Sequence, residues 1–280
     1  MVEWDIPEGD SDIVEAVQFP TSNIVYDMSN EDYHAHPSIS KSGLDLIDIS
    51  PAHFKKSERT ETPAFKKGTL MHCAILEPDF MESRYFGMTE TIDRRTKVGK
   101  AKYAEYEAKA DGRILVTADE MKMSLRIRDE VSQHKIAGQL FSGGVSEASI
   151  FSQINGTDVR CRPDYLNGTI AVDLKSTEDA ASGFIRSASK YRYYVQHPFY
   201  TDIASNEGIG IEHFIFVAIE KSEPYGICTY ELDDDAIRYG RRRYRENMDV
   251  YRRCLDSGQW PGYEQTIKTL SLPRYLINDL

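Results

Sequence analysis

Two acidic residues and a lysine in the middle of the chain have the types and the spacing for phosphodiester chemistry. Residues 162–164 read Arg-Pro-Asp, residues 167–168 read Asn-Gly, and residues 173–175 read Asp-Leu-Lys. Because alternate side chains of a strand share a face, Asp173 and Lys175 are predicted to point the same way. Two carboxylates beside a lysine can hold a divalent cation and activate a water next to it. The pattern therefore predicts a metal-dependent site for phosphodiester cleavage.

The Asp-x-Lys triplet alone is a weak signal, because two solvated charges at a strand end explain it as well. Its context strengthens it, since Asp173 lies in the apolar run 170–174, which is typical of a central strand. A carboxylate buried there needs a cation or a hydrogen-bond donor. Asp164 lies across the predicted Asn-Gly hairpin turn and can reach the same end of the sheet.

Four other side chains could complete the site. His72 follows Gly68-Thr69 in an apolar helix and could ligate a metal, although a core or capping histidine fits the same position. Glu147 opens a predicted strand and could orient a water or a second ion. Gln196 and Tyr200 are one turn apart on a predicted helix, which suits both a phosphate-gripping pair and an ordinary amphipathic helix.

The composition is that of a soluble globular protein. Of the 280 residues, 40% are hydrophobic and 28% are charged. No apolar run approaches the roughly 20 residues of a membrane-spanning helix. The acidic start of the chain lacks the layout of a secretory signal, so we expect a cytoplasmic protein without a membrane partner. The four cysteines form no Cys-x-x-Cys pair, which argues against a zinc ribbon and a disulfide scaffold.

The formal net charge of −11, from 34 basic and 45 acidic residues, is not typical of a protein that coats DNA. Basic runs around 94–102, 186–192 and 241–243 could nevertheless form a confined positive track for a polyanion. Solvated helix faces explain these runs equally well. The candidate phosphate contacts are Lys41, Arg94, Arg95, Lys97, Arg186, Arg192 and Arg241.

The hydrophobic period changes along the chain from helical to extended. Residues 1–25 are predicted to form an irregular N-terminal arm, and residues 26–280 a single domain. Within that domain we expect a helical lobe at about 38–136, a catalytic α/β core at about 145–257, and an irregular tail at 258–280.

The core is predicted to alternate between strands and helices. The predicted strands lie at 147–151, 158–162, 170–174, 211–219 and 225–232, and the predicted long helices at 118–136, 178–206 and 234–256. The fold class is therefore α/β, with a mixed central sheet flanked by helices and a helical N-terminal lobe.

Five motifs in order make the sequence resemble the PD-(D/E)xK nuclease superfamily. They are Gly-Thr-x-x-His at 68–72, Glu-Ala-Ser at 147–149, Arg-Pro-Asp at 162–164, Asp-Leu-Lys at 173–175 and Gln-x-x-x-Tyr at 196–200. The closest likeness is to the family of the RecE (exonuclease VIII) C-terminal nuclease domain, related to phage λ exonuclease and RecB-type nucleases. It runs from about residue 24 to 276 and implies a restriction-endonuclease-like core.

The resemblance implies a role for each site residue. Four groups would ligate the cation: His72, Asp164, Asp173 and the backbone carbonyl of Leu174. Lys175 would orient or deprotonate the attacking water and stabilise the charge that develops on phosphorus. Glu147 would act beside the metal, and Gln196 and Tyr200 would complete the catalytic site. Oxygen ligands with one imidazole suit Mg²⁺, with Mn²⁺ as a substitute. Beside a cation, Lys175 is expected to have a lowered pKa and to serve as a base.

The implied activity is magnesium-dependent 5′-to-3′ degradation of one strand of linear double-stranded DNA, leaving 3′ single-stranded tails for phage-type recombination. Members of this family work as closed rings, so we expect a homotetramer, a RecT-like single-strand annealing partner and a prophage setting. Two alternatives stay open. One is a related endonuclease, for whose iron–sulfur form the cysteines are too scattered. The other is a non-catalytic module that binds DNA ends.

Overall fold

In the part of the chain that the structure describes, the strands form three sheets, of which the largest lies at the centre of the fold. This computed structural model describes residues 23–58 and 63–272, the side chains of residues 63–67 excepted. The strands in this part are β1 (Ile24–Val25), β2 (Tyr85–Gly87), β3 (Ile114–Val116), β4 (Val145–Ser146), β5 (Ser149–Ile154), β6 (Thr157–Cys161), β7 (Tyr165–Asn167), β8 (Ile170–Thr177), β9 (His213–Glu220) and β10 (Ile227–Tyr230).

The central sheet is mixed, as the fold class predicted from the sequence requires. Its order is β10-β9-β8-β7-β4, with β8 and β9 parallel and the other neighbours antiparallel. A second sheet has the order β1-β5-β6, and a small third sheet pairs β2 with β3. The chain passes between the central sheet and the second sheet at two points, between β4 and β5 and between β6 and β7.

Helices cover both faces of the central sheet. They are α1 (Asn30–Ala35), α2 (Lys41–Ile49), α3 (Pro51–Lys56), α4 (Pro63–Leu76), α5 (Met81–Arg84), α6 (Lys97–Ala110), α7 (Ala118–Gln133), α8 (Lys135–Leu140), α9 (Phe184–Lys190), α10 (Tyr193–Asn206) and α11 (Asp234–Ser257). Ser40 caps α2, and Thr117 forms the predicted capping box with Glu120 at the start of α7.

The alternation of side chains along β8 divides the interior into two cores. Ala171 packs on the side of α10 and α11, together with Phe199 and Phe214. Val172 and Leu174 pack on the opposite side, in the core formed with α4 and α7. The two faces of one strand therefore anchor helices from the two halves of the chain.

The predicted hairpin between β7 and β8 is confirmed. Asn167 pairs with Ile170 across a turn in which Gly168 has φ +58°, a conformation that glycine adopts without strain. Continuing that register, Asp173 and Lys175 project from the same face of β8, as the period of two predicts. Both residues lie opposite the parallel strand β9, in the pairs with Phe216 and Ala218.

Three element predictions are corrected by the structure. Ile24–Val25, expected within the irregular arm, pair with β5 as an edge strand, whereas residues 1–22 lie outside the described residues. The single helix predicted over 178–206 is two helices, because the chain turns at Tyr191 and at Arg192, whose φ is +54°. Glu147 does not open a strand: its φ of +52° places it between two strands.

Helices α10 and α11 cross at an unusually close point. Pro198 has no backbone N–H and so cannot donate to the carbonyl of Tyr194, four residues earlier in α10. Gly240 of α11 packs against that carbonyl, where an added Cβ would come within 1.6 Å of the oxygen. The glycine is therefore required by the approach of the two backbones.

Within 23–58 and 63–272, no helix is both long enough and apolar enough to cross a bilayer. The tail from 258 to 272 contains no helix or strand, and its last residues, 273–280, lie outside the described part. The division of the domain into a helical lobe and a catalytic core stays a prediction.

Candidate metal centre and active site

Glu147 and Asp164 lie where the chain leaves one sheet for the other. β4 pairs with β7 in the central sheet, whereas β5 pairs with β6 in the second sheet. The residues between β4 and β5, and those between β6 and β7, therefore lie outside regular strand pairing. As in a β-bulge, their side chains can point in a different direction from those of the strands. Here the Glu147 N–H donates to the Asp164 carbonyl at 3.0 Å, which ties the two junctions together.

Helix α4 brings His72 to this junction. The Nδ1 of His72 lies 3.7 Å from Oδ2 of Asp164. That same carboxylate oxygen accepts a hydrogen bond of 2.6 Å from the backbone N–H of Leu174 in β8. Asp164 therefore links the helix, the sheet junction and the central strand.

Asp173 and Lys175 form an ion pair on the other face of β8. Gln196 of α10 donates to Oδ1 of Asp173, and Lys175 faces Oδ2. Beyond this ion pair, Oδ2 is buried and accepts no hydrogen bond. Asp173 is 2% exposed, so the predicted burial of this carboxylate is present in the fold.

Three side chains offer ligand atoms in one small space. Atoms of His72, Glu147 and Asp164 all lie within 4.8 Å of one another. Burial, then Asp173 and Glu147, raises the pKa of Asp164 well above its usual range. Burial also raises the pKa of Glu147 to about 7, against the opposing effect of Arg162.

The donor set fits a divalent cation. Two desolvated carboxylates beside one imidazole leave excess negative charge, which a cation of charge two would offset. Burial lowers the pKa of His72 to about 4, so the imidazole is neutral at pH 7 and free to ligate. The structure thus brings together His72 and Asp164, with Glu147 as a third ligand candidate. Asp173 is not part of this group, its Oδ2 faces Lys175, and its role as a metal ligand stays a prediction.

Lys175 favours its protonated form in the protein without a bound cation. Burial lowers its pKa, but the carboxylates of Asp173 and Asp164 outweigh this effect, so the net shift is upward. Without a bound cation, the neighbouring carboxylates therefore stabilise the ammonium form, and the lowered pKa expected beside a cation stays a prediction. A protonated Lys175 can bind a water and stabilise the charge that develops on the phosphate. It is less suited to taking a proton from that water.

Tyr200 lies one turn after Gln196 on α10, facing the same site. Burial raises the pKa of its hydroxyl well above the usual value, and the charges of Tyr33, Asp173 and Asp164 add to this shift. The hydroxyl therefore stays protonated and can donate a hydrogen bond. Its predicted role in completing the site stays a prediction.

Arg162, to which sequence reasoning gave no role, is a buried brace for the site. Its guanidinium donates to Ser149 Oγ and Asn30 Oδ1, both at 2.8 Å, and lies 4.0 Å from the ring centre of Tyr33. It also lies 3.8 Å from Oε2 of Glu147. The signal in the sequence was the Arg-Pro-Asp motif itself, because a buried arginine in it needs buried partners.

The predicted DNA contacts fall into two groups. Arg192 is 9% exposed and pairs with Asp45 and Asp48, so its predicted phosphate contact is not supported by its position. Arg241 pairs with Asp202 at 2.9 Å, and Lys41 with Asp45 at 2.7 Å. Their charge is largely used inside the protein. The exposed candidates are Arg94, Arg95, Lys97 and Arg186.

A family model described as PDDEXK-like domain of unknown function (DUF3799) matches residues 40–272. The chain belongs to this family. The PDDEXK-like match spans all five sequence motifs, so the PD-(D/E)xK resemblance is confirmed, and the family and its fold support nuclease activity. Such nucleases usually use divalent metals, in agreement with the clustered ligand atoms. The search of curated proteins found no match.

Solved structures show the same fold. A crystal structure named "Putative exonuclease" from Eubacterium rectale aligns with a TM-score of 0.60 at 13% identity, covering 91% of this PDDEXK-like chain and 98% of that one. At such low identity the likeness shows the fold. A structure of SSO0001 aligns over 38% of this chain and 49% of that chain, at 20% identity and a TM-score of 0.27, and carries no argument.

Proposed function

We propose that this protein is a magnesium-dependent exodeoxyribonuclease that degrades one strand of linear double-stranded DNA in the 5′-to-3′ direction. The observation that carries the proposal is the cluster of His72, Glu147 and Asp164, with ligand atoms within 4.8 Å of one another, beside the Asp173–Lys175 pair. The PDDEXK-like family and a structural neighbour named as an exonuclease support the same class of reaction.

In the proposed reaction, His72, Asp164, Asp173 and the Leu174 carbonyl would hold Mg²⁺, and Glu147 would act beside it. When bound, the ion would supply Lewis-acid polarisation of the phosphoryl oxygen and a lower pKa of a bound water. The protonated Lys175 holds the attacking water and the charge that develops on phosphorus. Gln196 fixes the orientation of Asp173 through its donated hydrogen bond.

The biological setting of the proposal is phage-type homologous recombination. Degradation from the 5′ end leaves 3′ single-stranded tails, which a RecT-like annealing protein would take up. A homotetrameric ring would let an acidic protein track DNA, because basic residues in the channel need not change the outer surface. These statements rest on the RecE-type likeness of the sequence motifs.

The experiment compares three substrates, each with Mg²⁺ and with EDTA. Linear duplex labelled at the 5′ end is expected to release labelled mononucleotides at once, whereas the same duplex labelled at the 3′ end keeps its label on long fragments. A covalently closed circle is expected to remain intact. Cutting of the circle would identify an endonuclease instead, and early release of the 3′ label would reverse the proposed direction.

A further inference from the structure

An exposed aromatic ring stands at the end of a stack of rings beside the candidate active site. Tyr191, at the turn between α9 and α10, is 51% exposed. Its ring stacks on the buried Tyr193 with centroids 6.0 Å apart and planes 25° apart. The ring of Tyr193 stacks in turn on Phe216 of β9 at 5.5 Å. Tyr191 is therefore the surface end of a three-ring column anchored in the central sheet.

The column passes directly under the candidate catalytic lysine. The Nζ of Lys175 lies 4.6 Å from the ring centre of Tyr193, so Tyr191 is one ring away from the predicted cleavage point. Two more cations lie at Tyr191, one at its ring and one at its backbone. The Nζ of Lys190 lies 5.2 Å from the Tyr191 ring centre, and Lys41 donates to the Tyr191 carbonyl.

The turn that presents Tyr191 is held firmly from behind. Arg192, in the left-handed conformation, donates to Asn247 at 2.7 Å and pairs with Asp45 at 3.0 Å. These bonds fix the backbone next to Tyr191, while the Tyr191 side chain stays about half exposed to solvent. An aromatic side chain whose backbone is fixed and whose ring is exposed is suited to stacking on a ligand with little loss of conformational entropy.

We propose that Tyr191 stacks on an unpaired nucleobase of the DNA strand whose phosphate lies at Lys175. This inference rests on the proposed nuclease function and adds a binding subsite to it. Base–aromatic stacking accepts every base, because each has a π face, and so suits an enzyme that degrades any sequence. Lys190 lies where it would meet a backbone phosphate of the same strand.

The chain provides a matched control. Tyr239 is 46% exposed, its ring lies 5.3 Å from that of Tyr194, and the Arg242 guanidinium lies 5.2 Å from its centre. Tyr239 therefore resembles Tyr191 in its exposure and in having one ring contact and one cationic neighbour. The difference is the candidate active site. Within the described part of the chain, Lys175 lies over the ring of Tyr193, on which Tyr191 stacks, and over no other ring.

The test is a double-mutant cycle between protein and DNA. The affinity for a short fluorescent single-stranded oligonucleotide is measured by anisotropy in EDTA, where no cleavage is expected, for the wild type, Tyr191→Ala, Tyr191→Phe and Tyr239→Ala. Each protein is also tested with oligonucleotides that lack one base, at the first, second or third nucleotide from the 5′ end.

Tyr191→Ala is expected to weaken binding about 10-fold, and Tyr191→Phe and Tyr239→Ala to leave it unchanged. One abasic position should weaken wild-type binding similarly and add nothing in Tyr191→Ala. The inference is overturned if Tyr191→Ala binds like the wild type, if every abasic penalty is the same in both proteins, or if the wild type binds no single strand.

Cleavage by the wild type with divalent cations is scored separately, so the two ideas can fail independently. Tyr191-dependent, base-dependent binding without any nucleotide release would sink the nuclease proposal and leave the stacking subsite standing. Release of nucleotides with Tyr191→Ala binding at the wild-type level would do the reverse.

Discussion

Burial disfavours the charged form of each side chain in the ligand cluster of His72, Glu147 and Asp164. The pKa values of both carboxyls are raised, and that of the imidazole is lowered. A bound cation reverses this effect for the carboxylates, because it stabilises their ionised forms. At the scale of single residues, the site therefore favours a bound cation, and without one the burial of its carboxyls is energetically unfavourable.

This balance predicts how Asp164→Asn changes thermal stability. Because a ligand that binds only the native state stabilises it, added Mg²⁺ or Mn²⁺ should raise the melting temperature of the wild type. Asp164→Asn should lose that rise and, without metal, should melt no lower than the wild type, since a crowded buried carboxyl has been neutralised. Differential scanning fluorimetry over a metal titration measures both effects.

Asp93→Asn serves as the control for this prediction. Asp93 is an exposed carboxylate with Arg95 as its partner, away from the ligand cluster. It should keep the full response to metal. A metal-dependent shift in Asp164→Asn as large as that of the wild type would contradict the assignment of this carboxylate.

His197 predicts a pH dependence of stability that is independent of the metal site. Burial, and then the charge of Arg241, lowers its pKa to about 4 from an unfolded value of about 6.5. The unfolded state therefore binds more protons between these values. Stability should be fully present above about pH 6.5 and fall as pH drops towards 4, by up to about 3 kcal/mol from this group.

His197→Phe isolates that contribution. The ring already stacks on Phe214 at 5.1 Å, and its Nδ1 has no hydrogen-bond partner, so phenylalanine loses little at neutral pH. Urea unfolding through the acidic window should show a shallower loss of stability in the variant than in the wild type. Parallel curves for the two proteins would show that His197 titrates normally.

Part of the site followed from residue spacing alone. The shared face of Asp173 and Lys175 follows from the period of a strand, and the short Asn-Gly turn brings Asp164 back towards it. The position of Glu147 did not follow, because its left-handed conformation results from two sheets that separate at that point. The brace at Arg162 depends on partners about 130 residues away, which local patterns do not reveal.

At the scale of elements, helix α10 is the part that the sequence predicted least well. Its apolar and aromatic pattern runs on without a break from the preceding segment, so one long helix was expected. The break at Arg192 is made by Asp45, Asp48 and Asn247, which come from α2 and α11. Distant ion pairs of this kind override local helix propensity.

The crossing of α10 and α11 predicts that Gly240→Ala is strongly destabilising. The added methyl group would meet the Tyr194 carbonyl at 1.6 Å, and a backbone atom cannot move aside as a side chain can. We expect a loss of about 1–3 kcal/mol in the free energy of unfolding. Gly210→Ala is the control, because nothing lies within 4 Å of its added Cβ. Equal stability of the two variants would contradict the close crossing.

At the scale of the whole molecule, the net charge of −11 is the property that a DNA-degrading enzyme must overcome. Several arginines that looked available in the sequence are engaged with acidic partners in the fold. The exposed cations among the predicted DNA contacts lie around α6 and α9, and a ring would bring copies of them around one DNA molecule. The family and fold were predictable because five motifs occur in order, whereas assembly depends on surfaces that no motif encodes.

A ring predicts a defined mass in solution. Light scattering coupled to size exclusion should give about four times the chain mass of 31.9 kDa. A mass of one chain at micromolar concentration would contradict the ring and leave the active-site assignment unaffected.

The central claim is that the residues around Asp173 and Lys175 cleave DNA with a divalent cation. It is tested most directly by the rate of nucleotide release from linear duplex DNA, measured for the wild type and for Lys175→Met in Mg²⁺ and in EDTA. We expect release by the wild type only with Mg²⁺, and a rate lower by about 100-fold or more in Lys175→Met. Release that is unaffected by EDTA, or equal in the two proteins, would contradict it.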